Sequence, residues 1–153
     1  TTLENSQYPT INTAKIPTEA VPDILTIIWA KVIYNCALNA ICSLNEIPYG
    51  KILENPKLSS RMERVIRECY AVGQAKGIAL NPSSANKFVE LMIEKLIPST
   101  ATHYPSMLQD LRRKKQTDID ALNGAICRYG RSLNIPAPEN QHLSDQIHLL
   151  EQQ

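Results

Sequence analysis

Three polar residues interrupt an otherwise apolar stretch of the chain: Lys31, Asn35 and Asn39. Their spacing of i, i+4 and i+8 puts all three on one face of an α-helix. The segment that carries them is apolar almost all round, from Ile24 through Trp29, Ile33, Cys36 and Ile41 to Leu44. Such a helix is normally buried, and an ammonium on a buried helix is costly unless something polar meets it. A cleft wall meets that demand. The lysine offers a charged donor to a carbonyl or carboxylate, and the two amides add directional hydrogen bonds. An exposed helix edge with Lys31 snorkelling into solvent fits the periodicity as well.

A second candidate stretch is HYPSMLQDLRRKKQTDIDALNG, His103 to Gly124. Ser106 follows Pro105 and is expected to cap a short helix, with Gln109 completing a capping box. Thr117 and Asp120 repeat that logic, and Asp118 falls in a first turn where a carboxylate suits the helix dipole. Capping alone could therefore account for Ser106, Thr117, Asp118 and Asp120. Arg112, Arg113, Lys114 and Lys115 form a basic run that reads either as a solvated helix end or as an anion contact. His103, His142 and His148 have no ligand spacing and read as surface or packing residues. No Ser-His-Asp or Cys-His arrangement can be argued from so few candidates.

The elements that must position these groups are helical. Prolines separate apolar-periodic segments, which predicts helices over about 23–44, 59–76, from 81–84 to just before Pro98, 106–114, 117–133 and 140–150. Asp23 is expected to cap the first, Gly77 to stop the second, and Pro48 and Gly50 to mark a turn. Strand signals are nearly missing, so the fold class is all-α, a multi-helix bundle. Residues 1–22 read as a linker and 23–153 as one helical domain. A net charge of +1 gives no reason to expect a nucleic acid or a membrane surface as partner. No two of the five glycines form G-x-G, so the chain carries no dinucleotide fingerprint or P-loop. The four cysteines, Cys36, Cys42, Cys69 and Cys127, make no C-x-x-C pair. They read as small buried hydrophobes in a reducing compartment rather than as a metal site. Lys31, Asn35 and Asn39 make the first helix too polar inside for a membrane span. No signal peptide is read at the N-terminus, and the cytoplasm is the expected location.

Several blocks together carry more than periodicity. WAKVIYNCALNAICSL, Trp29 to Leu44, resembles the W-x-K-x-x-x-N-x-x-x-N-x-x-x-A/S-L helix of ketopantoate reductases. PSMLQDLRRKKQTDIDALNGAICRYG, Pro105 to Gly130, resembles that family's S-M-x-x-D-x-x-x-x-x-x-T-E-I-D-x-x-N-G segment. NIPAPENQHL, Asn134 to Leu143, is similar to its G-x-P-T-P-x-N-x-x-L ending, and AVGQAKGIAL, Ala71 to Leu80, matches a helix end between them. The blocks keep the family's order and cover roughly residues 23 to 150.

The resemblance is to the C-terminal half only. It implies that residues 1–22 are a remnant of a missing N-terminal Rossmann domain that holds NADPH, and that the chain is inactive alone. It implies reduction of 2-dehydropantoate to pantoate, a step of pantothenate biosynthesis. In that scheme Lys31 is the general acid or polarises the keto oxygen. Asn35, Asn39 and Ser106 bind the substrate, and Asp118 stands where the family has a catalytic glutamate. Aspartate keeps the charge but is shorter by about an ångström or more of reach, which leaves room for another 2-oxo acid as substrate. Asn134 in place of the usual glycine is milder, since asparagine tolerates left-handed geometry. Asp120 still reads as a cap. A homodimer is a further expectation. A non-enzymatic helical interaction or dimerisation module is the alternative if Lys31, Asn35 and Ser106 do not share a cleft.

Overall fold

The computed structural model describes residues 24–153. Six helices follow one another: α1 (Ile24–Leu44), α2 (Pro56–Ala75), α3 (Ala85–Leu91), α4 (Ser106–Arg112), α5 (Asn123–Leu133) and α6 (Pro138–Glu151). Short 3-10 turns occupy Tyr49–Ile52 and Ile119–Ala121, and no strand occurs among the described residues. The all-α expectation is met. The expectations for residues 1–22 and for an Asp23 cap lie outside the described residues.

Helix α1 is the axis of the bundle, packed by α2, α4 and α6. Ile33, Cys36, Leu38 and Ile41 from α1 meet Met62, Ile66 and Cys69 of α2, with Met107, Ile126 and Ile147 closing the core. Burial of α1 along its whole length does not hold. Ile24, Leu25, Ile27 and Ile28 are exposed, Ile24 at 60%. Only the part from Trp29 onward lies among other helices, and an all-round apolar pattern cannot tell a core turn from a bare one. The helix is long and apolar enough to cross a membrane, a property that its core half already explains.

Helix ends show where local chemistry was read well and where it was not. Gly77, at φ 80°, stops α2. Ile78 N–H donates to the Gly73 carbonyl at 3.0 Å and Gly77 N–H to Gln74 at 2.9 Å, the paired bonds of a Schellman end. Asn134 takes the left-handed conformation at φ 56° and closes α5 in the same way. Helix α2 begins at Pro56, earlier than expected, because Asn55 caps it by accepting from Lys57 N–H (3.0 Å) and Leu58 N–H. The chain does not leave helix before Pro98. A π-helical turn, Met92–Leu96, follows α3 and leads into Ile97–Ser99, with Pro98 in the first turn of that last piece. The widened turn resets the hydrogen-bond ladder, so the missing proline N–H falls where none is needed. The helix expected over 117–133 is broken at Leu122, whose backbone leaves the helical region (φ −106°, ψ −103°).

The four cysteines are buried and free. Burial pushes the Cys42 thiol up to about 12 and Cys127 to about 11, which keeps both protonated and unreactive at neutral pH.

One polar network crosses the core. Ala137, at the start of α6, has no side-chain acceptor to cap the helix. Glu68 of α2 supplies it, accepting from Glu139 N–H (2.8 Å), Asn140 N–H (2.9 Å) and Asn140 Nδ2 (2.8 Å). Asn140 Oδ1 in turn accepts from Asn123 Nδ2 at 3.0 Å, and that same nitrogen donates to the Cys36 carbonyl of α1 at 3.2 Å. Asn140 and Asn123 are fully buried. Glu68→Gln keeps the shape but puts a donor where an acceptor is needed. It is expected to cost about 2–3 kcal/mol in urea denaturation; a loss below about 0.5 kcal/mol would show that the cap is dispensable.

Beside the network, Glu139 pairs with Arg61 and, at 3.0 Å, with Arg64. Burial works to raise its carboxyl, but hydrogen bonds and charge from Arg61 and Arg64 outweigh it, and the net shift is downward from 4.5. A carboxyl lowered in the folded state stabilises fully above its unfolded value and loses that contribution as pH falls through the folded one. The urea midpoint should therefore drop as pH falls below 4.5, and Glu139→Gln should flatten that acid limb. An acid limb identical to that of the parent chain would remove the pair from the account.

Candidate functional site

The polar stripe of α1 runs from solvent into the core. Lys31 is exposed, Asn35 half-buried and Asn39 buried at 5% exposure. Among the described residues neither Lys31 nor Asn35 has a protein partner, so two donor side chains stand ready on one helix face. Asn39 is held at one end only. The Tyr49 phenol donates to its Oδ1 at 2.8 Å, and among the described residues its amide nitrogen has no partner.

Tyr49 is itself fixed from several sides. Its ring meets that of Tyr34 edge-on, centroids 6.1 Å apart at 84°. Tyr34 donates its phenol to Thr100 Oγ1 at 2.9 Å, and Thr100 passes its own proton to the Leu96 carbonyl. The Tyr49 and Gly50 N–H groups bond the carbonyls of His103 and Ala101, both at 2.9 Å. Gly50 is required there, because a Cβ would stand 2.9 Å from Ala101 Cβ and 3.0 Å from its carbonyl oxygen. The same pairing anchors the loop that leads through Pro105 into α4, whose first residue is Ser106. Burial first, then the neighbouring Tyr34, Cys42 and Asp118, push the Tyr49 phenol up to about 12.

Ser106 is exposed and makes no capping bond, and Pro105 stands at the cap position instead. The expected Ser106–Gln109 capping box is therefore absent, and the hydroxyl is free on a helix that packs against α1. Asp118 is exposed at the head of the 119–121 turn, and its charge bears on both the Tyr49 phenol and the Cys36 thiol. Thr117 does act locally, accepting from Ile119 N–H at 3.2 Å, while its own N–H donates to Glu151 at 2.7 Å. Asp120 is not a cap: its carboxylate meets His148 Nε2 at 3.1 Å.

The basic run lies elsewhere. Arg112 pairs with Glu46 at 2.7 Å, beyond the C-terminus of α1, and Lys114 closes α4 in the left-handed conformation at φ 53°. A cleft of about 270 Å³ opens beside it, walled by Leu108, Leu111 and Leu150. None of the stripe residues Lys31, Asn35 or Asn39 lines that cleft, nor do Ser106 or Asp118. Sequence reasoning missed Tyr49, which it saw only as the neighbour of a turn.

Residues 23–151 match the family model described as ketopantoate reductase PanE/ApbA C terminal. A 2-dehydropantoate 2-reductase of Aquifex aeolicus is 39% identical over 138 residues, 90% of this chain and 44% of that protein. One of Pyrococcus horikoshii is 37% identical over 86% of this chain and 42% of that protein. Among solved structures, a PanE/ApbA family ketopantoate reductase of Ralstonia eutropha superposes with a TM-score of 0.81 at 32% identity, over 97% of this chain and 48% of that one. D-mandelate dehydrogenase, solved with NADH and anilino(oxo)acetate, shares the fold at a TM-score of 0.80 and 22% identity, over 99% of this chain and 48% of that one. The chain thus spans less than half the length of the relatives it matches. It belongs to the ketopantoate reductase family, of which it forms the C-terminal helical domain.

Proposed function

We propose that the chain is the substrate-binding and proton-donating domain of an NADPH-dependent 2-dehydropantoate 2-reductase in the cytoplasm. The observation that carries this reading is the row of unpartnered donors, Lys31, Asn35 and the Asn39 amide nitrogen, on one face of α1 in a chain of this family. The chain has no glycine-rich phosphate cradle, so the cofactor belongs to a preceding Rossmann domain. When bound, such a cofactor would supply the hydride for the keto carbon.

The residues of this chain do the rest. The Lys31 ammonium polarises the keto oxygen and gives it a proton, turning the carbonyl into a hydroxyl, and recovers the proton from solvent. Asn35, Asn39 and Ser106 hold the carboxylate and hydroxyl groups of the substrate. Asp118 binds the substrate or holds Lys31. The apolar end of α1, Ile24, Leu25, Ile27 and Ile28, is a face that the Rossmann domain would cover. A homodimer fits the same reading, as a ketopantoate reductase of Staphylococcus aureus is described as dimeric. Asp118 favours a second reading, a reductase of another 2-oxo acid.

In the two-domain enzyme, Lys31→Ala is expected to lower kcat by about 10²–10⁴-fold. Near-normal turnover in steady-state assays would overturn the assignment. Asp118→Glu is expected to raise kcat/KM for 2-dehydropantoate, by up to about 10²-fold where reach is limiting. A fall, together with better turnover of a different 2-oxo acid, would favour the second reading.

A further inference from the structure

We propose that Tyr49 is a positioning residue of the substrate site, fixing the Asn39 amide so that its nitrogen faces the Lys31 stripe. This rests on the reading of the α1 stripe as the substrate site. A primary amide can present either end to a ligand, with little steric difference between the two. Here one end is decided. The Tyr49 phenol has Asn39 Oδ1 as its acceptor at 2.8 Å. Turning the amide over would put a donor where the half-buried phenol needs an acceptor and would cost that hydrogen bond. The phenol also stays protonated across the whole working pH range, since burial and its neighbours push it up to about 12. The donor that fixes Asn39 is therefore permanent.

Tyr49 in turn cannot drift. The Tyr34 ring holds its edge, and its backbone is paired with the 101–103 loop through Tyr49 N–H and Gly50 N–H. That loop continues into Ser106. One short turn thus aligns two of the proposed substrate contacts, Asn39 directly through the phenol and Ser106 through the backbone. The Asn39 nitrogen, without a partner among the described residues, is left as a pre-aimed donor for a carboxylate or hydroxyl of the substrate.

Steady-state kinetics of the two-domain enzyme with 2-dehydropantoate test this. Tyr49→Phe removes one hydroxyl and keeps the ring. The expected result is a KM raised by about 3–10-fold, the range one lost hydrogen bond gives, with kcat within about twofold. In an Asn39→Ala background the same change should have no further effect on KM, because no amide is left to orient. A KM equal to the parent's, or a full additive effect in the Asn39→Ala background, would overturn the proposal. A structural role alone would lower the thermal midpoint and the yield of active enzyme without moving KM. A second measurement does not depend on catalysis. In NMR spectra of this chain, NOEs from the Asn39 Nδ2 protons should place them away from the ring at position 49, and Tyr49→Phe should add NOEs between those protons and that ring as the amide turns over. Unchanged NOEs in Tyr49→Phe would overturn the proposal even if Lys31→Ala had abolished turnover. The expected NOE change beside an active Lys31→Ala enzyme would instead sink the site reading alone.

Discussion

The Glu68 carboxylate accepts two backbone N–H groups at the start of α6 and one side-chain amide, and the rest of the bundle depends on that arrangement. The first turn of a helix exposes N–H groups with no partner in the helix itself. Helix α6 begins with Pro138, and Ala137 before it has no side-chain oxygen, so its local sequence leaves those groups unmet. A carboxylate brought from α2 meets them and also suits the positive end of the helix dipole. Because the same Asn140 that gives Glu68 its amide proton takes one from Asn123, the bond passes on to α5 and to the Cys36 carbonyl of α1. Four helices are thus held in register by groups that are costly to leave unpaired. Hydrophobic burial supplies the bulk of the driving force but is indifferent to small rotations of one helix on another. A connected polar network is not.

The register matters because the stripe on α1 is useful only if the half of the helix below it is fixed. From Trp29 onward one face of α1 is covered, and residues 36–43 are wholly core. Asn39 sits in that enclosed part, Asn35 at its edge and Lys31 outside it. The stripe is thus a gradient of exposure: a buried amide held by Tyr49, a half-buried amide, and an exposed charged chain. Binding groups profit from being rigid, since less freedom is lost when a ligand is held. A proton donor that must recover its proton from water profits from reach and exposure. On the proposed reading, the order in which the three residues emerge from the core matches those separate needs.

Much of this was legible in the sequence, for reasons that differ by residue. The stripe follows from a 3.6-residue repeat, a property of local geometry alone. Gly77 and Asn134 follow from backbone sterics at helix ends, also local. Ser106 and Asp120 misled because their types favour caps, while tertiary contacts decided otherwise. Pro105 occupies the cap position, and His148 draws off the Asp120 carboxylate. Pro98 misled because a proline normally ends a helix, and the π-turn before it has no reliable local signature. Tyr49 had no signal at all. Its partner is ten residues back along the chain, across a reversal at residues 45–48, and neither residue type calls for the other. The exposed turns of α1 were hidden for the complementary reason. A residue that faces a covering domain has the composition of a core residue, whatever covers it.

The electrostatics of the stripe are spare. The neighbouring groups that could ionise, the Tyr49 phenol and the thiols of Cys36 and Cys42, are all pushed toward their neutral forms, chiefly by burial. Asp118 reinforces this at Tyr49 and Cys36, since a carboxylate nearby disfavours a second negative charge. Lys31 is the charged residue of the stripe, beside the neutral amides of Asn35 and Asn39. A single cation beside neutral donors suits a reaction in which charge appears briefly on one oxygen. On the proposed reading, the ammonium would meet that charge where it forms. The amides need no reorganisation, and no phenolate or thiolate competes for the proton. Covering the apolar end of α1 would take Lys31 further from water and strengthen its attraction for a developing oxyanion, since Coulomb interactions grow as the local dielectric falls. On the proposed reading, the exposed Ile24, Leu25, Ile27 and Ile28 and the exposed Lys31 answer one requirement, a face to be covered and a charge that gains from being covered.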